Sequence, residues 1–390
     1  VAARGCVRQN GRDSRARRDP KAMNGSCPGH RNPGKALGAV LSGCALACLL
    51  QACNAVGPQS IRGGRMAYNE AIAETNAQQM LMVPVHNRYE EANHMLAVAS
   101  VTANVRVSSS TLIEAGFGNS DNYDGNLVPF RGGFVYEENP TISYTPVTGE
   151  AYLRQLIAPV PLLLFSQMSQ VLPEPGFIYD MVLASINDIY NPAFLYDDQQ
   201  DDPRFDRLVD IMTSLTRQNR LHWVSDSSDE DSLVLLIQKP AGDADVVEML
   251  ELLQLPTDEA GDEYVVIPVT LALDGVTEDG IGMTTRSLWG LLEILSAAVQ
   301  VPAADESSGV AVSFPRPGRT GRELAIGYSD EKPENAYVAV QYRDGWFAID
   351  NRDQATKRYF KYMSSLWSAA ISESLGGSVA APVLTVPVSR

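Results

Sequence analysis

Apolar residues recur along this chain with the spacings of amphipathic helices and half-buried strands. Residues 65–83 repeat apolar side chains at helical spacing, and Pro84 is expected to end this helix because proline lacks the backbone donor that the next turn needs. A second amphipathic helix is predicted to begin at Pro203, since proline is favoured in the first turn of a helix. Its apolar stripe consists of Phe205, Leu208, Val209, Met212 and Leu215.

Further segments follow helical and strand patterns in mixed order. The other predicted helices cover residues 149–157 (capped by Thr148), 162–172, 177–190, 246–255, 285–299 and a last helix from Asp350 or Asp353 to Ser374. The predicted strands cover residues 95–107, 134–136, 141–144, 221–224, 233–238, 264–273, 310–314, 324–328, 336–342 and 346–349, with a loop over 108–131. This mixture predicts an α+β fold of mainly antiparallel strands, in one or two packed domains after an N-terminal signal peptide.

The pattern divides the chain into six regions. Two of them form the body: an N-terminal α+β region over residues 65–200 and a C-terminal α+β region over residues 201–375. The others are residues 1–22 (upstream sequence or a mis-assigned start), 23–52 (a signal peptide beginning at Met23), 53–64 (a lipid tether) and 376–390 (an extended tail).

The predicted signal peptide has a basic part and an apolar part. Lys35 ends the basic part, and residues 36–50 are uncharged over the length of a signal-peptide apolar core. The sequence Leu50-Gln51-Ala52-Cys53 follows, and it resembles the lipobox at which bacterial lipoproteins are lipidated and cleaved. A second match at residues 41–44 lies too close to Lys35, so Cys53 is the expected lipidation site. The alternative is a short uncleaved anchor.

Charge and cysteine content also separate this leader from the body. Nine of the 31 Lys and Arg residues but only two of the 47 Asp and Glu residues precede Cys53, and the formal net charge of the chain is −16. Such an acidic body argues against nucleic acid as a partner, because phosphate contacts require clustered basic side chains. All five cysteines lie at or before Cys53, so the body is expected to fold without disulfides.

Several segments of the body match a family pattern. They are residues 64–69 (GRMAYN), 88–89, 138–146 (ENPTISYTP), 149–150, 285–288 and 338–350 (VAVQYRDGWFAID) with Asp353 and Lys357. Together they resemble an uncharacterised family of bacterial outer-membrane (envelope) lipoproteins, most specifically over residues 338–357. The chain departs from the family at residues 84–86, where the family continues its first helix. The resemblance implies a location in the bacterial envelope, and Asn54 directly after the cysteine implies transport to the outer membrane. It implies no catalytic residues.

Motifs for catalysis, metals and cofactors are weak in this sequence. Ser329-Asp330-Glu331-Lys332 fits Ser-x-x-Lys by letters, but it falls in a charged turn and is interpreted as chance. His86, His94 and His222 lack metal-ligand spacing, and the acidic clusters 197–206 and 226–231 lack the spacing of a calcium loop. From the sequence we therefore assign no catalytic residue, metal or cofactor. The body has 45 acidic residues, so some pair of carboxylates at the spacing of a glycoside hydrolase is always possible.

The most distinctive candidate site is the hairpin Tyr342-Arg343-Asp344-Gly345-Trp346-Phe347. Asp344-Gly345 is a strong signal for a two-residue turn. Tyr342, Arg343, Trp346 and Phe347 form a possible binding tip, because exposed Tyr, Trp and Arg residues dominate many interfaces. Alternation along the strands favours the structural interpretation, in which the rings face a core. Arg343 and Arg286 are then expected to pair carboxylates such as Asp350.

These observations lead to two hypotheses about function. The first is a non-enzymatic interaction or scaffolding protein, held by lipid on the periplasmic face of the outer membrane and binding an envelope protein or a cell-wall component. The alternative is a periplasmic hydrolase of the cell wall or of glycans that uses Asp and Glu carboxylates.

Overall fold

The chain is described by a computed structural model that covers residues 66–102, 105–113, 130–138, 141–225, 232–238, 243–257, 263–272, 280–376 and 384–387. Residues Asn69–Arg390 belong to one compact unit. Helices and mainly antiparallel sheets alternate along it, which confirms the predicted α+β fold.

Helices occur along the whole described part of the chain. They are α1 (66–88), α2 (Glu150–Ile157), α3 (Leu162–Val171), α4 (Pro175–Val182), α5 (Pro203–Arg217), α6 (Ala244–Leu252), α7 (Leu288–Ala297), α8 (Ala303–Ser307) and α9 (Gln354–Gly376), with a 3₁₀ turn at Arg319–Gly321. The predicted stripe of α5 is buried along its whole length, and the Asp202 side chain accepts a hydrogen bond from the backbone of Arg204 to cap the helix.

The strands form several separate sheets. They are β1 (Met95–Thr102), β2 (Val105–Ile113), β3 (Phe130–Glu138), β4 (Thr141–Val147), β5 (Leu183–Ile186), β6 (Ile189–Tyr190), β7 (Phe194–Leu195), β8 (Leu221–Ser225), β9 (Ser232–Gln238), β10 (Tyr264–Leu271), β11 (Ile281–Thr285), β12 (Arg316–Pro317), β13 (Gly327–Ser329), β14 (Ala336–Tyr342), β15 (Gly345–Asp350) and β16 (Leu384–Pro387). Two-stranded sheets pair β2 with β3 and β7 with β12.

The largest sheet has the strand order β6-β5-β11-β10-β9-β8. Its pairs are antiparallel except for β10 with β11, which run parallel. On β10 the side chains of Val265, Ile267 and Val269 are buried while Tyr264 and Val266 are exposed, because successive residues of a strand point to opposite faces. The sheet joins strands that precede and strands that follow residue 200.

Two smaller sheets carry the sites described below. The order β1-β4-β16 places the C-terminal strand beside β4, and the order β13-β15-β14 contains the aromatic hairpin. Helix α1 lies beside β1, where the backbone N–H of Leu96 donates to the Gln79 side chain over 3.1 Å.

Helix α1 runs through Pro84, so the predicted end of this helix at Pro84 was wrong. An interior proline costs about 3 kcal/mol because it removes one backbone hydrogen bond and crowds the preceding turn. The helical continuation buries Val85 completely, and the helix brings Arg88 and Tyr89 into the core. Tertiary burial therefore outweighs the local preference at this position.

Two predicted helices are shorter than expected because strands occupy one end of each. The helix predicted over 177–190 ends at Val182, after which β5 and β6 begin; the helix predicted over 285–299 starts at Leu288, after β11. Strands β5 and β11 pair with each other. Their partners are distant in sequence, and local periodicity carries no information about such pairing.

Four smaller predictions were also wrong. The strand predicted over 95–107 divides into β1 and β2, and part of the loop predicted over 108–131 belongs to β2 and β3. Gly149 rather than Thr148 occupies the N-cap of α2, with a positive φ of 107° and no side-chain cap. The segment 310–314 forms no strand, because the backbone N–H of Val312 donates to the Arg88 carbonyl and its own carbonyl accepts from the Arg88 guanidinium.

Candidate functional site

The turn of the aromatic hairpin lies one residue earlier than predicted. Tyr342 pairs with Gly345 across β14 and β15, so Arg343 and Asp344 form the two-residue loop, with Arg343 at a positive φ of 51°. Gly345 is required for a different reason. A side chain there would collide with the Tyr328 ring, which lies directly on its backbone.

Phe347 is the buried centre of the hairpin. Its ring centroid lies 5.3 Å from that of Tyr328, 6.2 Å from that of Tyr342 and 6.3 Å from that of Tyr89. The side chain is fully buried. We call Tyr89, Tyr328, Tyr342 and Phe347 the aromatic cluster. This packing supports the structural interpretation for Phe347, because aromatic rings at such separations stabilise a core.

Arg343 is held against the aromatic cluster. Its guanidinium lies 4.4 Å from the Tyr89 ring centroid and 3.0 Å from a carboxylate oxygen of Glu91. Hydrogen bonds from Tyr342 and Arg343 lower the pKa of Glu91. Burial and a 2.8 Å hydrogen bond to Asp305 raise the pKa of Tyr89. Arg343 thus pairs a carboxylate, as expected, but that carboxylate is the partly exposed Glu91 and not Asp350.

Trp346 lies apart from the other three residues of the predicted tip. Consecutive residues on a strand face opposite sides, so Trp346 points away from Phe347 and is half-buried. The ammonium of Lys332 lies 5.3 Å from the Trp346 ring centroid, and the Ser329 hydroxyl donates to the Glu331 carbonyl over 2.7 Å. Ser329 and Lys332 therefore make contacts within the segment between β13 and β14. This agrees with the interpretation that the Ser-x-x-Lys match arose by chance.

A polar cleft of about 370 Å³ opens beside the aromatic cluster. It is lined by Tyr89, Pro302, Asp305, Tyr328, Tyr342, Arg343, Asp344 and Phe347. The cleft brings Tyr342, Arg343 and Phe347 of the predicted tip together with Asp305, which the sequence did not single out. Ligand binding by these residues remains a prediction.

A larger cavity of about 620 Å³ lies between α1, β1 and α9. Its lining includes Ile72, Ala73, Met80, Met95, Leu96, Val98, Val101, Val147, Phe360, Trp367 and Ile371, with the polar side chains of Asn76, Gln79, Ser364, Ser365, Ser368 and Ser372. Lys361 is the one charged residue among those that line it. The cavity is partly open to solvent, and clefts of this volume with mainly apolar linings are typical of small-molecule binding sites. We call this the apolar cavity.

The serines of α9 place no free hydroxyl donor in the apolar cavity. Each hydroxyl donates to the carbonyl one turn earlier: Ser364 to Phe360 (2.7 Å), Ser365 to Lys361 (3.0 Å), Ser368 to Ser364 (2.8 Å) and Ser372 to Ser368 (2.9 Å). Small side chains on one face of a long helix were the only signal of the cavity in the sequence, and the sequence analysis missed it.

Arg286 is a buried structural residue rather than the partner of Asp350. Its guanidinium donates to the backbone carbonyls of Asp180 (2.8 Å), Met181 (2.9 Å) and Asn191 (2.6 Å). Burial lowers the pKa of Arg286. The predicted pairing with Asp350 was wrong, because the carbonyls at the α4–β5 junction occupy the guanidinium while Asp350 lies exposed and accepts from the Arg352 backbone.

Several of the histidines and acidic residues that the sequence analysis set aside as metal ligands make other contacts. His86 packs against Tyr342 with ring centroids 5.1 Å apart, burial lowers its pKa, and His222 contacts the Asn219 carbonyl at 3.0 Å. Acidic residues of the cluster 197–206 pair with arginines: Asp201 with Arg322, Asp202 with Arg204, and Asp206 with Arg319. Within the described ranges, three or more His, Cys, Asp or Glu residues nowhere converge as metal ligands. The cluster 226–231 lies outside those ranges.

Two findings concern the anchor and known proteins. Cys53 and the rest of the predicted leader and tether lie outside the described residues, and among the helices that the structure does describe none is long and apolar enough to cross a membrane. Comparisons with protein-family models, with curated proteins and with solved structures found no match.

Proposed function

We propose that this chain is a non-enzymatic binding protein of the bacterial envelope, anchored by lipid on Cys53 and located on the periplasmic face of the outer membrane. The leader pattern that ends in Leu50-Gln51-Ala52-Cys53 supports the anchor. The apolar cavity carries the binding role, since three elements surround about 620 Å³ that their own side chains leave unfilled. The resemblance to envelope lipoproteins supports the proposed location at the outer membrane.

The anchor is tested by replacing single cysteines in the full chain. Cys53→Ser is expected to abolish acyl labelling and to leave an uncleaved precursor, because lipidation requires the thiol at that position. Cys44→Ser and Cys48→Ser are matched controls within the apolar segment and should be processed normally. Intact mass and metabolic acyl labelling give the result, with inner and outer membranes separated. Loss of labelling in Cys44→Ser but not in Cys53→Ser would overturn the choice of Cys53.

The binding role is tested by photo-crosslinking from within the cavity. A photoreactive amino acid at Ser368, which lines the cavity, is expected to yield a defined adduct in living cells. The same residue at Ala369, which is exposed on α9 and does not line the cavity, is the matched control. Equal adduct patterns from both positions would contradict a binding role for the cavity, whatever the chemistry of the ligand.

The alternative function, glycan hydrolysis, is favoured by the polar cleft alone. Asp305 and Asp344 both line it, and the hydroxyl of Tyr89 donates to Asp305. A hydrolase of this class needs two carboxylates across its substrate. Release of soluble fragments from purified cell wall, lost in both Asp305→Asn and Asp344→Asn, would establish this function and displace the binding proposal.

A further inference from the structure

We propose that the apolar cavity binds a free single-chain amphiphile with an anionic head group, of the class of long-chain fatty acids. The inference rests on the binding role proposed above and names the ligand class of the same cavity. The source is the pool of free amphiphiles in the surrounding bilayer, not the lipid on Cys53. Three observations carry it: apolar side chains from several elements, the internal hydrogen bonds of the α9 serines, and the position of one cation.

The walls of the cavity match a hydrocarbon chain. Helix α1 contributes Ile72, strand β1 contributes Leu96 and Val98, and helix α9 contributes Ile371, and each of these side chains is half-buried or exposed. These side chains come from three different elements, so a ligand between them contacts apolar surface on several sides. Burial of apolar area is the main driving force for such a ligand, because it scales with the area removed from water.

The polar residues of the wall disfavour a peptide or another polar ligand. The hydroxyls of the four α9 serines donate to carbonyls of their own helix, and the Gln79 side-chain oxygen accepts from the backbone of Leu96. A polar ligand would lose its hydrogen bonds to water and find few free partners in this cavity, which is unfavourable. A hydrocarbon chain makes no such demand.

Lys361 defines the head group. It is exposed, lines the cavity, and so marks a place where the cavity meets solvent. Among the described residues that line the cavity none is Asp or Glu, although acidic side chains outnumber basic ones 47 to 31 in the whole chain. The acidic residue Glu74 of α1 contacts Gln78 instead of the cavity. A carboxylate at the mouth therefore meets a cation without a competing acidic neighbour in the lining.

The test uses the full-length protein in isolated membranes, without detergent that would itself fill the cavity. A long-chain fatty acid with a photoreactive diazirine at the end of its chain is added and illuminated. Peptide mapping is expected to place the crosslinks in α1, β1 or α9. An alcohol with the same chain and the same diazirine is the uncharged companion probe.

Two filling variants from opposite walls test the location. Ala73→Trp on α1 and Ser368→Trp on α9 should each lower labelling by about ten-fold, the change expected when a site is lost at fixed probe concentration. Ala71→Trp and Ala369→Trp add the same ring to exposed positions that do not line the cavity, and should leave labelling unchanged. Agreement between both walls excludes misfolding of a single variant, and thermal melting of each variant checks its fold.

Charge reversal tests the head group. Lys361→Glu should lower labelling by the fatty acid about five-fold and leave labelling by the alcohol unchanged, as expected for the loss of an exposed charge pair. Arg352→Glu makes the same change in charge at an exposed residue outside the cavity and should have no effect.

Several results would overturn the inference. Crosslinks that map elsewhere, or equal labelling in filled and control variants, would place the amphiphile outside the cavity. If Lys361→Glu lowered labelling by the fatty acid and by the alcohol to the same extent, the inference of an anionic head group would be refuted. Labelling that occurs only in Cys53→Ser would show that the protein's own lipid occupies the cavity. A polar or peptide adduct captured from Ser368 would refute this ligand class while the proposed binding function stands.

Discussion

The apolar cavity lies beside helix α1 and the polar cleft lies beside the C-terminal end of that helix, but the lining residues of the two sites differ in how many contacts they make with one another. In the cleft, the Tyr89 hydroxyl binds Asp305, Arg343 binds Glu91, and Phe347 touches three other rings. In the cavity, the exposed side chains of Leu96 and Tyr337 lie beside about 620 Å³ that the described side chains leave open. Closed contacts among its own residues stabilise the cleft, whereas the open volume leaves room for a partner.

The largest expected effect comes from truncating the centre of the aromatic cluster. Phe347→Ala should lower the free energy of unfolding by about 3–5 kcal/mol, since the removed ring contacts partners on several sides. Tyr337→Ala is the aromatic truncation at the cavity, and it should cost less because Tyr337 is already 44% exposed. Chemical denaturation of both variants measures the difference. Equal losses would mean that the two regions are packed alike.

Adding one carbon at the hairpin should also be unfavourable. Gly345→Ala places a methyl group against the Tyr328 ring, and we expect a loss of about 1–3 kcal/mol, as in other overpacked sites. The double variant Gly345→Ala with Tyr328→Leu removes the obstructing ring edge and serves as the control. If Gly345→Ala alone unfolds at the wild-type denaturant concentration, the close approach is not rigid.

A larger side chain in the cavity should stabilise the protein, in contrast to the larger side chain at Gly345. Ser368→Leu should raise the free energy of unfolding of the ligand-free protein by about 0.5–2 kcal/mol, because the new side chain fills volume next to Trp367. Ala369→Leu, outside the cavity, should change it little. A destabilised Ser368→Leu protein with an unaltered Ala369→Leu protein would show that the cavity is closed to new side chains.

The smallest expected effect is electrostatic. The pKa of Glu91 in the folded state lies below its ordinary value of 4.5. Ionised Glu91 therefore contributes to the free energy of unfolding at a pH above 4.5, and this contribution is lost as the pH falls through the folded-state pKa. The carboxylate is partly exposed, so we expect less than about 1 kcal/mol. Unfolding free energies from pH 7 to pH 3 should fall less steeply in Glu91→Gln than in wild type. Glu90→Gln is the neighbouring control.

Local signals in the sequence predicted the elements that local physics determines. The stripe of α5 follows from spacing, and the cap of α9 falls on Asp353, one of the two predicted candidates, whose side chain accepts from the backbone of Thr356. The hairpin of β14 and β15 also follows from alternation. Its turn was displaced by one residue because Gly345 is needed for the approach of Tyr328, a contact between strands that the turn dipeptide does not encode.

Long-range contacts determine what the sequence did not predict. Pro84 remains helical because the residues after it are buried, and Arg286 binds three carbonyls whose positions depend on the completed sheet. The apolar cavity arises between elements that are more than two hundred residues apart, α1 and α9. A helix face of serines indicates small side chains, but not the wall opposite them.

The pairing of β16 with β4 has a consequence for how the molecule reaches its folded state. Leu384 lies beside Tyr144, so the sheet that walls the cavity closes a loop of more than half the chain. Such distant pairing is slow to form, because the intervening chain must close a long loop before β16 reaches β4. Until then β4 presents an unpaired edge to neighbouring chains, which makes it the strand at which aggregation competes with folding.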